Sequence, residues 1–477
     1  MCCVARRLRI GGAIPLGCAL AALWAAPASA EAHLFSPDAF EITGDLRFVA
    51  VDGEKSWVDG GFGKLRSGSD GDLRVRPQLG NASLVWKPQF SWSLGAIVVG
   101  SLQGGERTQA GLSQAYLTFK PMRSSNLGFS ARAGLMFPPV SLEHEGADWH
   151  VKDSITPSAI NSWIGEEVRP VAAEATASAN LGSHKLRATA ALMAANDTSG
   201  TLLTFRGWAL HDRMALAFHR QPLPPLDPGI AAYQARFTHP LLDVGPGFAH
   251  RPGYYAKLVW QPPVPVRFEL FRYDNRANPE DVDANLEWGW RTWFNHAGVV
   301  ADLGSGAQLK AQALQGHTRM GFPDGLRRWV DNRFRSAFVL LTRPFGSIGV
   351  TARLDVFDTR NRGSDVGDEY NDAGWAAMLA AKRDWGHLTG LVELLHVSSR
   401  RDNRLDAFDT RNRGSDVGDE YNDTGWAAML AAKRDWAHFT GLAELLHVSS
   451  RRDSRVDAGL APRQRQTQLQ AEVRMHW

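Results

Sequence analysis

Nine basic residues stand where neighbouring positions alternate between apolar and polar: Arg47, Arg132, Lys185, Arg187, Lys257, Arg267, Lys310, Arg353 and Arg474. Five acids, Glu41, Asp45, Glu269, Asp355 and Glu472, occupy the same kind of position. On the wet face of a wall, such charges select ions by Coulomb attraction in a narrow, partly desolvated passage. Arg outnumbers the ten Lys about fourfold, and its planar fork matches carboxylate and phosphate geometry. Two readings stay open. Either the excess of cations favours anions along a path, or the Arg residues pair with lumen acids and only solvate the interior.

A second constellation lies in 138–169 (PPVSLEHEGADWHVKDSITPSAINSWIGEEVR), with Glu143, His144, Glu145, Asp148 and His150 flanked by Trp149 and Trp163. A loop this long is either functional or disordered. Its apolar anchors favour folding inward, where it would narrow a pore. The two His and their acids match no standard metal spacing. The loop 362–372 and its copy at 413–423 are rich in oxygen donors, yet lack the calcium-loop spacing. No metal and no cofactor is expected. There is no G-x-S-x-G elbow, P-loop or H-E-x-x-H in the chain, which leaves an enzyme the weakest reading.

The elements that must position these charges are strands. In the last segment, Thr467, Leu469, Ala471, Val473, Met475 and Trp477 alternate with Gln466, Gln468, Gln470, Glu472, Arg474 and His476. That is the two-faced pattern of a strand between lipid and a watery lumen. The segments 41–50 and 127–137 alternate in the same way. In 374–385 the odd positions run Trp375, Ala377, Leu379, Ala381, Arg383 and Trp385, with an aromatic at each end. Ten residues at about 3.3 Å, tilted by roughly 40°, span about 25 Å, the apolar height of an outer-membrane barrel. Small residues between the aromatics suit lipid better than a sandwich core.

Eighteen strands are predicted, near 41–52, 73–87, 91–102, 110–120, 127–137, 170–181, 184–196, 253–261, 266–276, 286–302, 306–318, 335–345, 347–358, 374–385, 388–400, 425–436, 439–451 and 465–477. Short connections alternate with long polar ones, among them 138–169, 197–252 and 319–334. Turns on one rim and loops on the other fit a barrel. The apolar stretch Thr201 to Leu210 would make the strand count odd, so it is assigned to a loop that packs on the rim or folds inward.

Arg6, Arg7 and Arg9, the apolar run Ile10 to Ala26, and Ala28-Ser29-Ala30 have the layout of a secretory signal peptide over residues 1–30. Cys2, Cys3 and Cys18 all fall inside it, so the mature chain offers no disulfide or thiolate. Its three Arg leave 53 − 3 = 50 basic residues against 50 acidic, a balance that disfavours a nucleic-acid partner. No later apolar run is long enough for a membrane helix.

Residues 354–404 recur at 405–455 with six differences: Val356/Ala407, Ala373/Thr424, Gly386/Ala437, Leu388/Phe439, Val392/Ala443 and Asn403/Ser454. Each unit holds one external loop, one strand, one turn and one strand. The duplication therefore reads as an added hairpin that turns a 16-strand plan into 18, which preserves the even number that single-chain barrels need.

The passage Arg132-Ala-Gly134-Leu-Met-Phe-Pro138-Pro139-Val-Ser-Leu-Glu143 resembles the G-x-x-x-P-P-x-x-L-E pattern of the phosphate-selective porin-like family, and the closing segment Gln466–Trp477 is similar to the last strand of many outer-membrane barrels. The resemblance implies a channel in the bacterial outer membrane, often a homotrimer, with inward loops and anion passage. The duplicated hairpin and the scarcity of Lys depart from that family. The expected function is a porin for small hydrophilic solutes with a mild anion preference, in contact with outer-membrane lipid. A substrate-specific channel or receptor is the alternative. Trp477 is expected to complete the assembly signal.

Overall fold

The computed structural model describes residues 34–51, 55–68, 74–104, 108–122, 125–151, 154, 156–194, 196–240, 251–345, 348–367, 370–384, 388–401, 423–436, 439–452 and 463–475. Side chains are described as far as residue 375, except at 45–51, 74–76, 78 and 348. The signal-peptide segment, the tip of the second repeat unit and Trp477 lie outside the described residues.

Among the described residues, eighteen strands form one antiparallel sheet in which each strand pairs with the next along the chain. They are β1 (Phe40–Val51), β2 (Arg74–Trp86), β3 (Leu94–Gln103), β4 (Gln109–Phe119), β5 (Leu127–Leu135), β6 (Val171–Leu181), β7 (His184–Ala194), β8 (Gly253–Gln261) and β9 (Val266–Asp274). The second half comprises β10 (Arg291–Gly304), β11 (Ala307–Asp324), β12 (Arg327–Phe345), β13 (Ile348–Asn361), β14 (Asp372–Asp384), β15 (Leu388–Arg401), β16 (Asp423–Trp436), β17 (Phe439–Arg452) and β18 (Arg463–Met475). β1 and β18 run side by side, although no backbone pairing between them falls among the described residues. The result is an up-and-down β-barrel meander.

Register sorts side chains into cross-strand rows. Leu270, Ala297, Ala313, Ala337 and Val356 make one outward row across β9–β13. Phe268, Val299, Ala311, Val339 and Leu354 make the next, and Val266, Ala301, Leu309, Leu341 and Ala352 the one after. Every member is apolar, and large ones stand in the open, Leu270 58% exposed and Leu354 51%. The opposite face carries Arg267, Val300, Lys310, Leu340 and Arg353 in one row and Glu269, Gly298, Gln312, Phe338 and Asp355 in its neighbour. This is the period-two split read from the sequence, with the mixed face turned inward.

One rim is made of tight turns. Gly304, Ser305 and Gly306 all take positive φ, at 81°, 51° and 75°, a left-handed path that glycine adopts without strain. From the other rim two long connections fold into the ring. The first, 136–170, contains α1 (Ala159–Glu167), whose nine residues are all buried. The second, 196–240, contains α2 (Thr201–Phe205), also wholly buried, and α3 (Pro228–Ala231). Thr201 to Leu210 is thus inward-packed and not a strand.

Two boundaries differ from the sequence reading. The stretch 319–334 is not a loop, since β11 and β12 continue through it, with Asp324 opposite Arg327. Gly325-Leu326 makes the tip of a long hairpin, and Met320 and Val330 on its inner face join a buried cluster with Trp288 and Trp290. Residues 286–290 in turn belong to an ordered loop, because β10 starts only at Arg291. Helix α1 was not foreseen either. Its start is fixed by Ser158, whose Oγ accepts from the Asn161 N–H at 3.3 Å, an N-cap hidden in a polar stretch.

The repeat units pair internally in the same register. Asp372 faces Arg401 in β14–β15, and Asp423 faces Arg452 in β16–β17, each number displaced by 405 − 354 = 51.

Candidate functional site

The connection 136–170 touches strands far apart around the sheet. Lys257 of β8 donates to the Pro139 carbonyl at 2.6 Å, and Gln312 of β11 donates to that of Val140 at 3.3 Å. Gln114 of β4 donates to the Ala147 carbonyl at 2.6 Å, and Thr43 of β1 to Asp148 at 3.1 Å. Only a segment inside the ring reaches all four. The centre of the attachment is Arg353 on β13, fully buried, 3.1 Å from Glu143 and 2.7 Å from Asp355. Glu143 also accepts from the backbone N–H of Ser158 and from Asn161 Nδ2, and Asp355 accepts from the N–H of Ala159. Two acids thus share one guanidinium and tie both ends of the turn that leads into α1. Removing one partner of such a pair leaves an uncompensated buried charge, at a cost of about 3–5 kcal/mol.

A second lock joins the two inward connections to each other. Glu166 Oε2 lies 2.6 Å from Arg206 Nη1 and 2.9 Å from His211 Nε2. Burial alone would raise the Glu166 carboxyl, but Arg206 and His211 outweigh it and hold it down to about 2. Burial lowers the His211 imidazole against the pull of Glu166. The next residue, Glu167, accepts from the N–H groups of Gly200 and Leu202 at 3.2 and 2.8 Å and from Trp163 Nε1 at 2.6 Å. Burial pushes its carboxyl up to about 7 in spite of those donors. Between the locks lies an apolar filling inside the ring, where Trp163 meets Trp208, Phe294 and Phe334 edge-on at 5.1–5.9 Å.

The nine expected wall cations do not share one fate. Arg353 is corrected: it is closed off from any path and serves as the anchor of the loop. Lys257 is held between Glu269 at 2.6 Å and the Pro139 carbonyl, and Lys310 is buried. Arg132 binds Glu174 through two parallel contacts of 2.8 and 2.6 Å, with Tyr255 donating to the same carboxylate at 2.9 Å. Arg267 shares Glu269 at 2.9 Å yet keeps 43% of its side chain exposed. Lys185 and Arg187 are exposed, on the β7 face that also carries buried Thr189 and Ala191. The side chains of Arg47 and Arg474 lie outside the described ones. Pairing with acids of the inner face, the second of the two readings, therefore describes Arg132, Lys257, Arg267 and Arg353.

The loop residues also divide. Glu143 faces Arg353 and not a passage. His144 stacks on Trp149 with ring centres 3.5 Å apart, and burial, with His150 beside it, lowers its imidazole to about 3. Asp148 pairs with His150 at 2.8 Å. Glu145 is exposed. The sequence reading missed Glu174, although it stands on the inward alternation Ala172, Glu174, Thr176 and Ser178 of a strand it had placed. Arg206 and His211 carried no local signal, because their partner Glu166 lies 40 and 45 residues away. The same holds for Asp372, 2.5 Å from Lys64 and accepting from the Trp208 N–H.

Neither a protein-family model nor a curated protein matches the chain. Solved structures do. An anion-selective porin from Comamonas acidovorans is 11% identical over 92% of this chain and 98% of its own, with a TM-score of 0.44. OccD3 of Pseudomonas aeruginosa is 12% identical over 94% and 93%, also at 0.44. OccK2 of the same organism, solved in complex with glucuronate, is 14% identical over 92% and 98%, at 0.41. At such identities and scores, none of the three specifies a solute, a selectivity or an assembly for this chain.

Proposed function

We propose that the protein is a bacterial outer-membrane channel for small hydrophilic solutes, of the phosphate-selective porin-like kind, with a mild preference for anions. The observation that carries this reading is the division of the sheet into three unbroken outward apolar rows and an inward face bearing Arg132, Lys185, Arg187 and Arg267. Large apolar side chains in the open belong against lipid. Charges on the other face belong along water.

The inward connections favour a selective, narrowed channel over a wide general pore. Their buried locks and aromatic filling crowd the loop-side half of the ring, leaving any passage to run past the exposed cations Lys185, Arg187 and Arg267 near the turn rim. Association into homotrimers and cleavage of residues 1–30 complete the proposal. Planar-bilayer recording of purified protein tests it. Steady conductance with anion-side reversal potentials supports the channel, and block by one solute at low concentration supports the substrate-specific form. A barrel that inserts and stays silent under both would overturn the reading.

A further inference from the structure

Above the apolar rows, on the outward face of β9–β13, the chemistry changes abruptly. The next row is Arg272, Asn295, Gln315, Arg335 and Asp358. Then come Asp274, Trp293, His317, Arg333 and Arg360, and above them Arg291, Arg319 and Asp331. Six Arg thus share this surface with three Asp. The carboxylates are stretched over several partners: Asp274 sits 3.7 and 4.0 Å from Arg272 and Arg291, and Asp358 sits 3.4 and 3.3 Å from Arg335 and Arg360. Asp331 is shared by His317 and by Arg319 at 3.1 Å. No carboxylate lies within ion-pair distance of Arg333 among the described residues.

Two like-charge pairs stand directly opposite each other, Arg291 with Arg319 and Arg333 with Arg360. Such pairs on an exposed sheet face are unfavourable unless an anion bridges them. We infer that this outward arginine belt binds the phosphate groups of a diphosphorylated glycolipid, the lipid A type of molecule that forms the outer leaflet of such membranes. The inference rests on the outer-membrane reading above. Its position fits: the belt borders the apolar band on the rim opposite the tight turn at Gly304–Gly306 and the Phe345 and Ile348 pair, which is the external side of a barrel. Trp375, level with Ala337 and Val356 in register, stands at the join between the two zones, where indoles favour a membrane interface. The acyl chains would lie along the apolar rows while the guanidinium forks take phosphate oxygens two at a time. A free phosphate would gain the second contact and not the first.

Native mass spectrometry of the folded barrel in detergent, with diphosphoryl lipid A, monophosphoryl lipid A or sodium phosphate as probe, separates these cases. The wild type should retain one diphosphoryl lipid A at concentrations at least tenfold below those needed by the triple variant Arg291→Gln/Arg333→Gln/Arg360→Gln. The monophosphoryl form should fall between. The single variant Arg333→Gln, which breaks no ion pair, should already weaken retention severalfold and guards against misfolding of the triple variant. Equal retention by wild type and both variants, or full displacement of the lipid by millimolar phosphate, would overturn the inference. Conductance distinguishes the two readings. A protein that conducts without lipid preference sinks this inference alone, and one that holds the lipid yet never conducts sinks the channel alone.

Discussion

Arg132 and Arg187 look equivalent in the sequence, and their surroundings make them different tools. Arg132 is committed to Glu174, so reversing its charge would set two carboxylates face to face and disturb the wall. Lys185 and Arg187 have open side chains and are the better probes of selectivity. Changing both to Glu should move the reversal potential in a salt gradient towards cations, while the amount of heat-modifiable barrel stays the same. An unmoved potential would place the conducting path elsewhere.

Glu143→Gln tests the anchor, because it removes one carboxylate from Arg353 and leaves Asp355 with the Thr156 and Pro157 carbonyls. The loop 138–169 should lose a large part of the roughly 3–5 kcal/mol that a broken buried pair represents. That should appear as faster protease cleavage within the loop and as larger, noisier single-channel currents.

Glu167 adds a pH dependence whose sign follows from its raised carboxyl. From its ordinary value of 4.5 up to about 7, the folded form holds a proton that the unfolded form has released. Its contribution therefore favours the closed arrangement below pH 4.5 and is lost as pH rises to about 7. Protection factors at Leu202 and Leu203, corrected for the intrinsic base-catalysed exchange rate, should fall across that window, and in Glu167→Gln that fall should vanish.

Among elements, the repeated hairpin invites the cleanest test. Excising residues 405–455 removes one loop, two strands and one turn, and should leave an assembled 16-strand barrel of somewhat lower conductance. Deleting β16 alone leaves an odd count and should abolish assembly. Folding of the second variant without the first would refute the strand-pair assignment. Strands were readable because an apolar outer face and a mixed inner face impose period two, and that signal is local. The β11–β12 hairpin was partly hidden, since Arg319, Arg327 and Arg328 read as solvated loop until the row above the apolar band is recognised as outward wall. Helix α1 was illegible for another reason. Enclosed on all sides, it turns Asn161, Ser162, Glu166 and Glu167 to buried partners and not to solvent, so no apolar and polar faces mark a period of 3.6. The locks at Glu166 and Asp372 depend on chain crossings that no local spacing encodes.

For the molecule as a whole, the apolar rows make a depth-dependent prediction. Val299→Arg, in the middle of the three rows, should destabilise the membrane-inserted barrel by about 2–4 kcal/mol, while Gln315→Arg in the polar row should cost about 0–1 kcal/mol. Reversible unfolding in lipid vesicles measures both, and equal penalties would mean that the sheet does not face lipid there.

The matched registers of the two hairpins reach beyond the folded protein to its gene. The stretches that encode two near-identical units lie end to end, and unequal recombination in register between them would delete or add one complete unit. Each product carries a loop, two strands and a turn, so every outcome has an even count and a closing strand that meets a familiar neighbour. Length variants in natural populations should accordingly be spaced by whole repeats. The girth of the barrel would then be inherited in discrete steps, a trait that evolution can widen or narrow without inventing a single residue.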